Sequence, residues 1–412
     1  MLFPFRRFLR PFASAAAAVA TLLLASCGGG GDGDSGPSAP SLPASSSLAN
    51  MCTLPAQQQF VRSYLDETYL WFDEIPNVNP ADFTSIPAYF NALLVKTPEA
   101  NGLPRDRFSA VLSSASANAL QSKLPDGAIL KDAVPANLLA ASQSVPLAKV
   151  VTTPGGRRVG YVIFSDHNEG SQDALIAAFD GLRKEGVNEL VLDMRYNAGG
   201  FLYVAQTAAS LVTGPQSEGK IFEQLRYSSK RQAESAASVF RFSSRLQTPE
   251  TVYPRGHVLP QLNLPRLYVL TSGQTCSASE SVINSLRGID VEVIVVGGTT
   301  CGKPYGFHRE DNCGLAFFAI EFQGYNAKNF GDYTGGIKPD CPVTDNLTTP
   351  LGAQNEPLLA TALQHVDTGS CPATATPRSL LSQGEPGTGR RAFVPVAPRQ
   401  PWDGRLLRMG GK

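Results

Sequence analysis

Along residues 156–371, short apolar runs alternate with stretches whose apolar residues recur at helical spacing. Residues 158–164 carry the run Val-Gly-Tyr-Val-Ile-Phe and predict a buried strand. Residues 171–184 place Leu175, Ile176, Phe179 and Leu182 on one helical face, and Gly186 is the stop signal. Further strands are predicted at 189–194, 266–270, 291–296 and 315–322, with helices at 201–212 and from Ser277 onward. Repeated strand–helix–strand units predict an α/β layer fold whose site lies on loops at the carboxyl ends of the strands. Upstream, Phe60, Val61, Tyr64, Leu65 and Thr68 recur at helical spacing, and Pro76, Pro80 and Pro87 divide residues 51–112 into short helices. That pattern predicts a small packed helical domain whose aromatic stripe is core. Residues 113–155 show no usable period and are left as a connector.

The ends of the chain change the picture. Arg6, Arg7 and Arg10 precede an Ala/Val/Leu run over residues 13–25, too short for a permanent membrane span. It ends Leu24-Ala25-Ser26-Cys27, which resembles a bacterial lipobox, so residues 1–27 are expected to be a lipoprotein signal with Cys27 lipidated. The alternative is an ordinary secretory signal with a chance cysteine. Gly28, rather than Asp, follows, which points to the outer membrane, facing the periplasm. Residues 28–50 are Gly, Ser, Pro, Ala and Asp and read as a flexible tether. Residues 372–412, rich in Pro, Gly and Arg, read as a disordered basic tail, or as a contact with anionic lipid or peptidoglycan. Acidic and basic residues balance at 35 each, which argues against a nucleic-acid surface.

Export makes disulfides the expected state of Cys52, Cys276, Cys301, Cys313, Cys341 and Cys371, with the pairing left open. No metal site is expected: there is no Cys-x-x-Cys, and His167, His257, His308 and His365 have no ligand spacing. No histidine is placed to activate Cys276 as a nucleophile, and no cofactor motif is present.

Three predicted strand-end loops carry candidate chemistry. One is Asp193-Met194-Arg195-Tyr196-Asn197-Ala198-Gly199-Gly200, where paired glycines allow close approach of backbone N–H groups or simply make a tight turn. In the second, Ser277 opens a helix, either as a nucleophile or as an N-cap whose capping box is completed by Glu280. In the third, Gly302-Lys303 follows the next strand, and Lys303 is either a base or an exposed surface lysine. A hydroxyl and an amine on converging loops suit a serine nucleophile activated by lysine.

The ordered motifs Asp-x-Arg-x-Asn-x-Gly-Gly (193–200), Ser-Ala-Ser-Glu (277–280), Thr-x-Gly-Lys (300–303) and Gly-Ile-Lys-Pro-Asp (336–340) resemble the carboxyl-terminal processing peptidases, or tail-specific proteases. Asp106-Arg107-Phe108-Ser109 resembles the end of the amino-terminal segment of some members. The resemblance implies a crotonase-like α/β core with a small helical amino-terminal domain and a Ser–Lys dyad. By it Ser277 is the nucleophile, Lys303 the general base and Glu280 the acidic support. The N–H of Ala278 and that of Gly199 or Gly200 would form the oxyanion hole. Two departures stand out. Phe307 occupies the place four residues after the lysine where many members carry glutamine, and the interval from Ser109 to Arg158 is too short for the PDZ domain that many carry. The expected function is a lipid-anchored serine endopeptidase of the cell envelope acting on unfolded or extended polypeptide. A catalytically silent lipoprotein binding peptide or an apolar ligand, and a Ser–Lys acyl hydrolase, are the alternatives.

Overall fold

The structure, a computed structural model, describes residues 41–99, 101–121, 144–346 and 348–372. The expected export signal with Cys27, most of the expected tether, connector residues 122–143 and nearly all of the expected basic tail lie outside these residues. Below we describe the body from Pro43 onward.

At its centre is a six-stranded sheet in the order β13-β8-β7-β4-β3-β2. Its strands are β2 (Leu147–Thr152), β3 (Arg158–Ile163), β4 (Glu189–Asp193), β7 (Arg266–Thr271), β8 (Glu292–Gly297) and β13 (Cys341–Pro342). All neighbours pair in parallel except β2, which runs antiparallel to β3 along the edge. Side chains alternate across a strand, and the apolar residues divide accordingly. Val162, Leu190, Leu192, Leu267, Val269, Val293 and Val295 pack under the helices Ser171–Lys184, Leu202–Val212 and Ala278–Gly288. Val159, Tyr161, Ile163, Val191, Tyr268, Leu270, Ile294 and Val296 pack under the helix Pro357–Thr368. Burying one such side chain is worth about 1.5–3 kcal/mol, whereas strand propensity spans only about 1 kcal/mol. Two-sided burial therefore holds these strands.

The expected helix at 171–184 and the strands beginning at 158, 189 and 266 are present. The connector needs correction, because β2 falls within it and already belongs to the sheet. Its Leu-Ala-Lys-Val-Val-Thr sequence is that of a half-exposed edge, too weakly patterned to stand out.

The predicted strand at 315–322 is also corrected. It divides into β11 (Leu315–Phe318) and β12 (Phe322–Tyr325), which belong to different sheets. β11 lies between β1 (Ala110–Ser113) and β10 (Glu310–Asn312). β12 lies between β5 (Ile221–Tyr227) and β9 (Tyr305–Gly306), and β6 (Val239–Arg241) completes that second sheet. The break has a visible cause. At Ile320 the backbone partners come from the amino-terminal segment: Leu70 N–H donates to its carbonyl at 2.8 Å, and its own N–H donates to Ser109 Oγ at 2.9 Å.

The amino-terminal helices Leu54–Thr68 and Ile86–Leu93 pack together in one core that also takes in β11. Phe60, Tyr64 and Phe90 close around Phe317 of β11, with ring centroids 5.8, 6.1 and 5.7 Å away. Cys52 is disulfide-bonded to Cys313. The end of the expected tether joins this core: Leu48 is buried, and Ser45 N–H donates to Glu67 at 2.8 Å. Pro87 does not break a helix but sits in the first turn of Ile86–Leu93, where its missing N–H has no intrahelical role.

Candidate active site

The loops that follow β4, β7 and β8 meet at the carboxyl ends of the parallel strands. The first is anchored from below by charge. Arg195 is 1% exposed and binds Asp193 at 2.9 Å, Glu356 through two bonds at 2.8 Å, and Asp345 at 3.1 Å. Tyr161 also donates to Asp193, at 2.7 Å. Burial raises Asp193, and the Arg195 charge opposes that rise. The Asp-x-Arg pair of the motif thus clamps the loop to the helix Pro357–Thr368 and is not itself reactive.

Ser277 is the N-cap of the helix Ala278–Gly288 and forms a capping box with Glu280, so the capping reading is correct as far as it goes. Its backbone, however, has φ 68° and ψ −122°, whereas a simple N-cap residue is extended. A non-glycine residue held there costs about 1–3 kcal/mol, and such residues cluster at functional sites. Lys303 is 1% exposed, which removes the surface-lysine reading. Its Nζ lies 5.1 Å from the Phe108 ring centroid and 4.8 Å from that of Phe307.

Glu280 joins the two. One carboxylate oxygen accepts the N–H of Ser277 at 2.8 Å and that of Lys303 at 2.9 Å. The other accepts the Gly302 N–H at 2.8 Å and the Thr300 hydroxyl. The serine and lysine backbones are therefore separated by no more than one bridging atom. The Cys276–Cys301 disulfide links the same two loops. Cys341–Cys371 completes the pairing of the six cysteines. The groups Cys276–Glu280–Cys301 and Cys341–His365–Cys371 have metal-like proximity, but each pair of thiols is consumed by its disulfide.

The glycines are required sterically. A Cβ on Gly199 (φ +95°) would lie 2.7 Å from Ser277 Cβ and 2.9 Å from the Ala278 nitrogen. One on Gly200 (φ +146°) would strike the His167 carbonyl at 2.7 Å. Gly199 N–H is already engaged, donating to Asn197 Oδ1 at 3.0 Å. Asn197 and His167 are residues that the motif reading passed over. Asn197 Nδ2 donates to the Phe164 carbonyl at 3.0 Å, its Oδ1 meets His167 Nδ1 at 3.0 Å, and its carbonyl receives Cys276 N–H at 3.1 Å and Ser279 Oγ at 3.1 Å. The fixed Asn in the first motif was the available signal. On the His167 loop, desolvation pushes Asp166 up to about 7, against the N–H groups of His167 and Asn168 that hold it down.

The Cys276–Cys301 bond should make the site redox-dependent. A dithiol reductant is expected to lower turnover about 10²-fold, the usual cost of a misplaced catalytic group, before the fold is lost. Turnover and far-UV circular dichroism followed through one dithiothreitol titration check this, and the Cys276→Ser/Cys301→Ser double variant should match the reduced protein. Full activity in that variant would refute it.

A layered α/β protein that brings a strained serine and a buried lysine onto consecutive strand-end loops is defined at this point. Its sequence matches Peptidase family S41 over residues 158–343 and the Peptidase S41 N-terminal domain over residues 56–110. The chain belongs to peptidase family S41. It is 25% identical over 181 residues to the carboxyl-terminal-processing protease of Picosynechococcus sp. (strain ATCC 27264 / PCC 7002 / PR-6), a match covering 43% of this chain and 38% of that protein. It therefore spans well under half the length of that relative. A crystal structure from Bacteroides fragilis NCTC 9343, assigned to the S41 proteases, is similar with a TM-score of 0.58 and 21% identity. That match covers 76% of this chain and 97% of the other, and shows likeness of fold.

Proposed function

We propose that the chain is a serine endopeptidase in which Ser277 is the nucleophile and Lys303 the general base, acting on unfolded or extended polypeptide. The observation that carries this reading is the single Glu280 oxygen that receives the N–H groups of both residues. In the reaction, Ser277 Oγ attacks the scissile carbonyl carbon while its proton passes to the Lys303 amine. Lysine must be neutral to accept it, and burial disfavours the ammonium form. The tetrahedral oxyanion is taken by the Ala278 N–H, in the first turn of a helix, and by an N–H of the glycine pair. Because Gly199 N–H serves Asn197, Gly200 is the second donor in this proposal. Collapse of the intermediate returns the proton from lysine to the leaving amine. Water then repeats the sequence on the acyl-enzyme.

The cell-envelope setting rests on the Leu24-Ala25-Ser26-Cys27 pattern, with Cys27 as lipid anchor and the body facing the periplasm. Polypeptide is the only partner the reading requires beyond that anchor. The interval between Gln121 and Leu147 is too short for a PDZ domain, so a free substrate carboxyl terminus should matter little.

The test is incubation of the mature protein with an unstructured polypeptide, free or amidated at its carboxyl terminus, beside Ser277→Ala. Both forms should be cut internally at similar rates, and Ser277→Ala should be inactive. Tight peptide binding without cleavage by the parent protein would establish the silent binder instead. Release of acyl groups from esters alone would establish the acyl hydrolase. In bacterial cells producing the full chain, a labelled fatty acid should enter the parent protein but not Cys27→Ala.

A further inference from the structure

We infer that an aromatic clamp positions the Lys303 amine: Phe307 and Phe108 hold it between their rings, and Arg107 locks Phe108 to the lysine's own loop. This rests on the reading of Lys303 as the base. Both ring centroids are within the roughly 6 Å over which a cation is attracted to a ring face, at 4.8 and 5.1 Å. The rings come from different parts of the chain. Phe307 follows the lysine just beyond β9, and its ring packs on Phe318 of β11 at 5.4 Å. Phe108 arrives from the amino-terminal segment.

That segment is built to hold Phe108 in place. The buried Asp106 carboxylate receives the N–H groups of Phe108 and Ser109 at 3.0 and 2.8 Å, and the Tyr69 hydroxyl at 2.6 Å. Arg107 donates to the carbonyls of Gly302, the residue before the lysine, at 3.1 Å, and of Thr334 at 2.9 Å. Its guanidinium also lies 4.5 Å from the Phe108 ring centroid. The Asp106-Arg107-Phe108-Ser109 motif, far from the nucleophile in sequence, thus ends against the base.

The chemistry gives the clamp a role beyond filling space. A lysine has a flexible four-carbon stem, and its amine must be aimed at the serine proton. The amine gains positive charge as it takes that proton, and ring faces attract positive charge. The contact is therefore stronger in the transition state than before it, as catalysis requires. The charged and titratable groups around this position are Glu280 from the nucleophile helix, Arg107 and Asp106 from the amino-terminal segment, Glu99 paired with Arg107 at 2.7 Å, and Tyr305 beside Glu99 at 3.3 Å.

The test is the pH profile of kcat/KM for Phe108→Leu and Phe307→Leu, with thermal unfolding monitored. Losing a ring makes the ammonium less favourable. The acid limb assigned to Lys303 should therefore move to lower pH by about half a unit to one and a half units, the ordinary worth of such a contact. The kcat plateau should fall about tenfold, and Phe108→Tyr, which keeps the ring, should restore both. Simple loosening of the core would admit water and move the limb upward instead. If the leucine variants unfold, pentafluorophenylalanine at position 108 keeps the shape and abolishes the negative ring face, with the same downward shift expected. An unmoved or upward limb, beside an inactive Lys303→Ala, overturns the clamp. An active Lys303→Ala overturns the reading beneath it.

Discussion

Lys303→Met is expected to lower kcat by about 10²–10⁴-fold, the range that general-base catalysis supplies, without loss of thermal stability. The substitution keeps most of the length of the side chain and places an apolar thioether beside Phe108 and Phe307. Removing a buried amine in favour of an apolar group of similar size is often neutral or stabilising. Stability and activity should therefore separate, which they would not do if Lys303 were a structural cation. Lys303→Arg should also be inactive, since a guanidinium does not deprotonate in this range. Steady-state kinetics on an unfolded substrate and a thermal melt suffice, and near-normal turnover by Lys303→Met would remove the dyad.

The second large effect is expected at Glu280. Its carboxylate receives the buried N–H groups of Ser277, Gly302 and Lys303 together with the Thr300 hydroxyl. Glu280→Ala leaves these donors without that acceptor, at about 1–3 kcal/mol for each one left unsatisfied. Their sum is a large part of the roughly 5–15 kcal/mol that holds a domain together, so this variant should fold poorly. Glu280→Gln keeps one acceptor oxygen and turns an amide towards the remaining donors. It should fold with stability lowered by about 2–4 kcal/mol and with kcat reduced about 10²-fold through displacement of the serine and lysine loops. Urea denaturation and kcat measured on the same preparation check both. A Glu280→Gln protein that matches the parent in both respects would show that the carboxylate does not organise the site.

These expectations differ in how much of them could be read along the chain. The serine, the lysine and the paired glycines were visible as residue types after predicted strands. The central strands were visible because each buries both faces, and the helix at 171–184 because its apolar face repeats locally. Residues 315–322 read as one strand since every position but Glu321 is apolar. Only the competition from Leu70 and Ser109 for the backbone of Ile320 divides them. Likewise Ser277 looked equally like a cap and a nucleophile; it is a cap, and its positive φ, which sets it apart from an ordinary cap, is invisible in sequence.

The sequence by itself determined which segments are apolar on one face or two, where the chain turns, and which reactive side chains stand at strand ends. Those properties are local, set by residue type and by the periods of strand and helix. Only the tertiary structure decided the partners: Glu280 beneath both Ser277 and Lys303, Cys276 joined to Cys301, Arg195 spent on Asp193 and Glu356, and Phe108 brought from the amino-terminal segment to the lysine. A periodic pattern states that a face is buried but not against what. The contacts between strand-end loops are instead set by the order in which the parallel strands lie side by side, and that of Phe108 by the packing of the amino-terminal segment with β11.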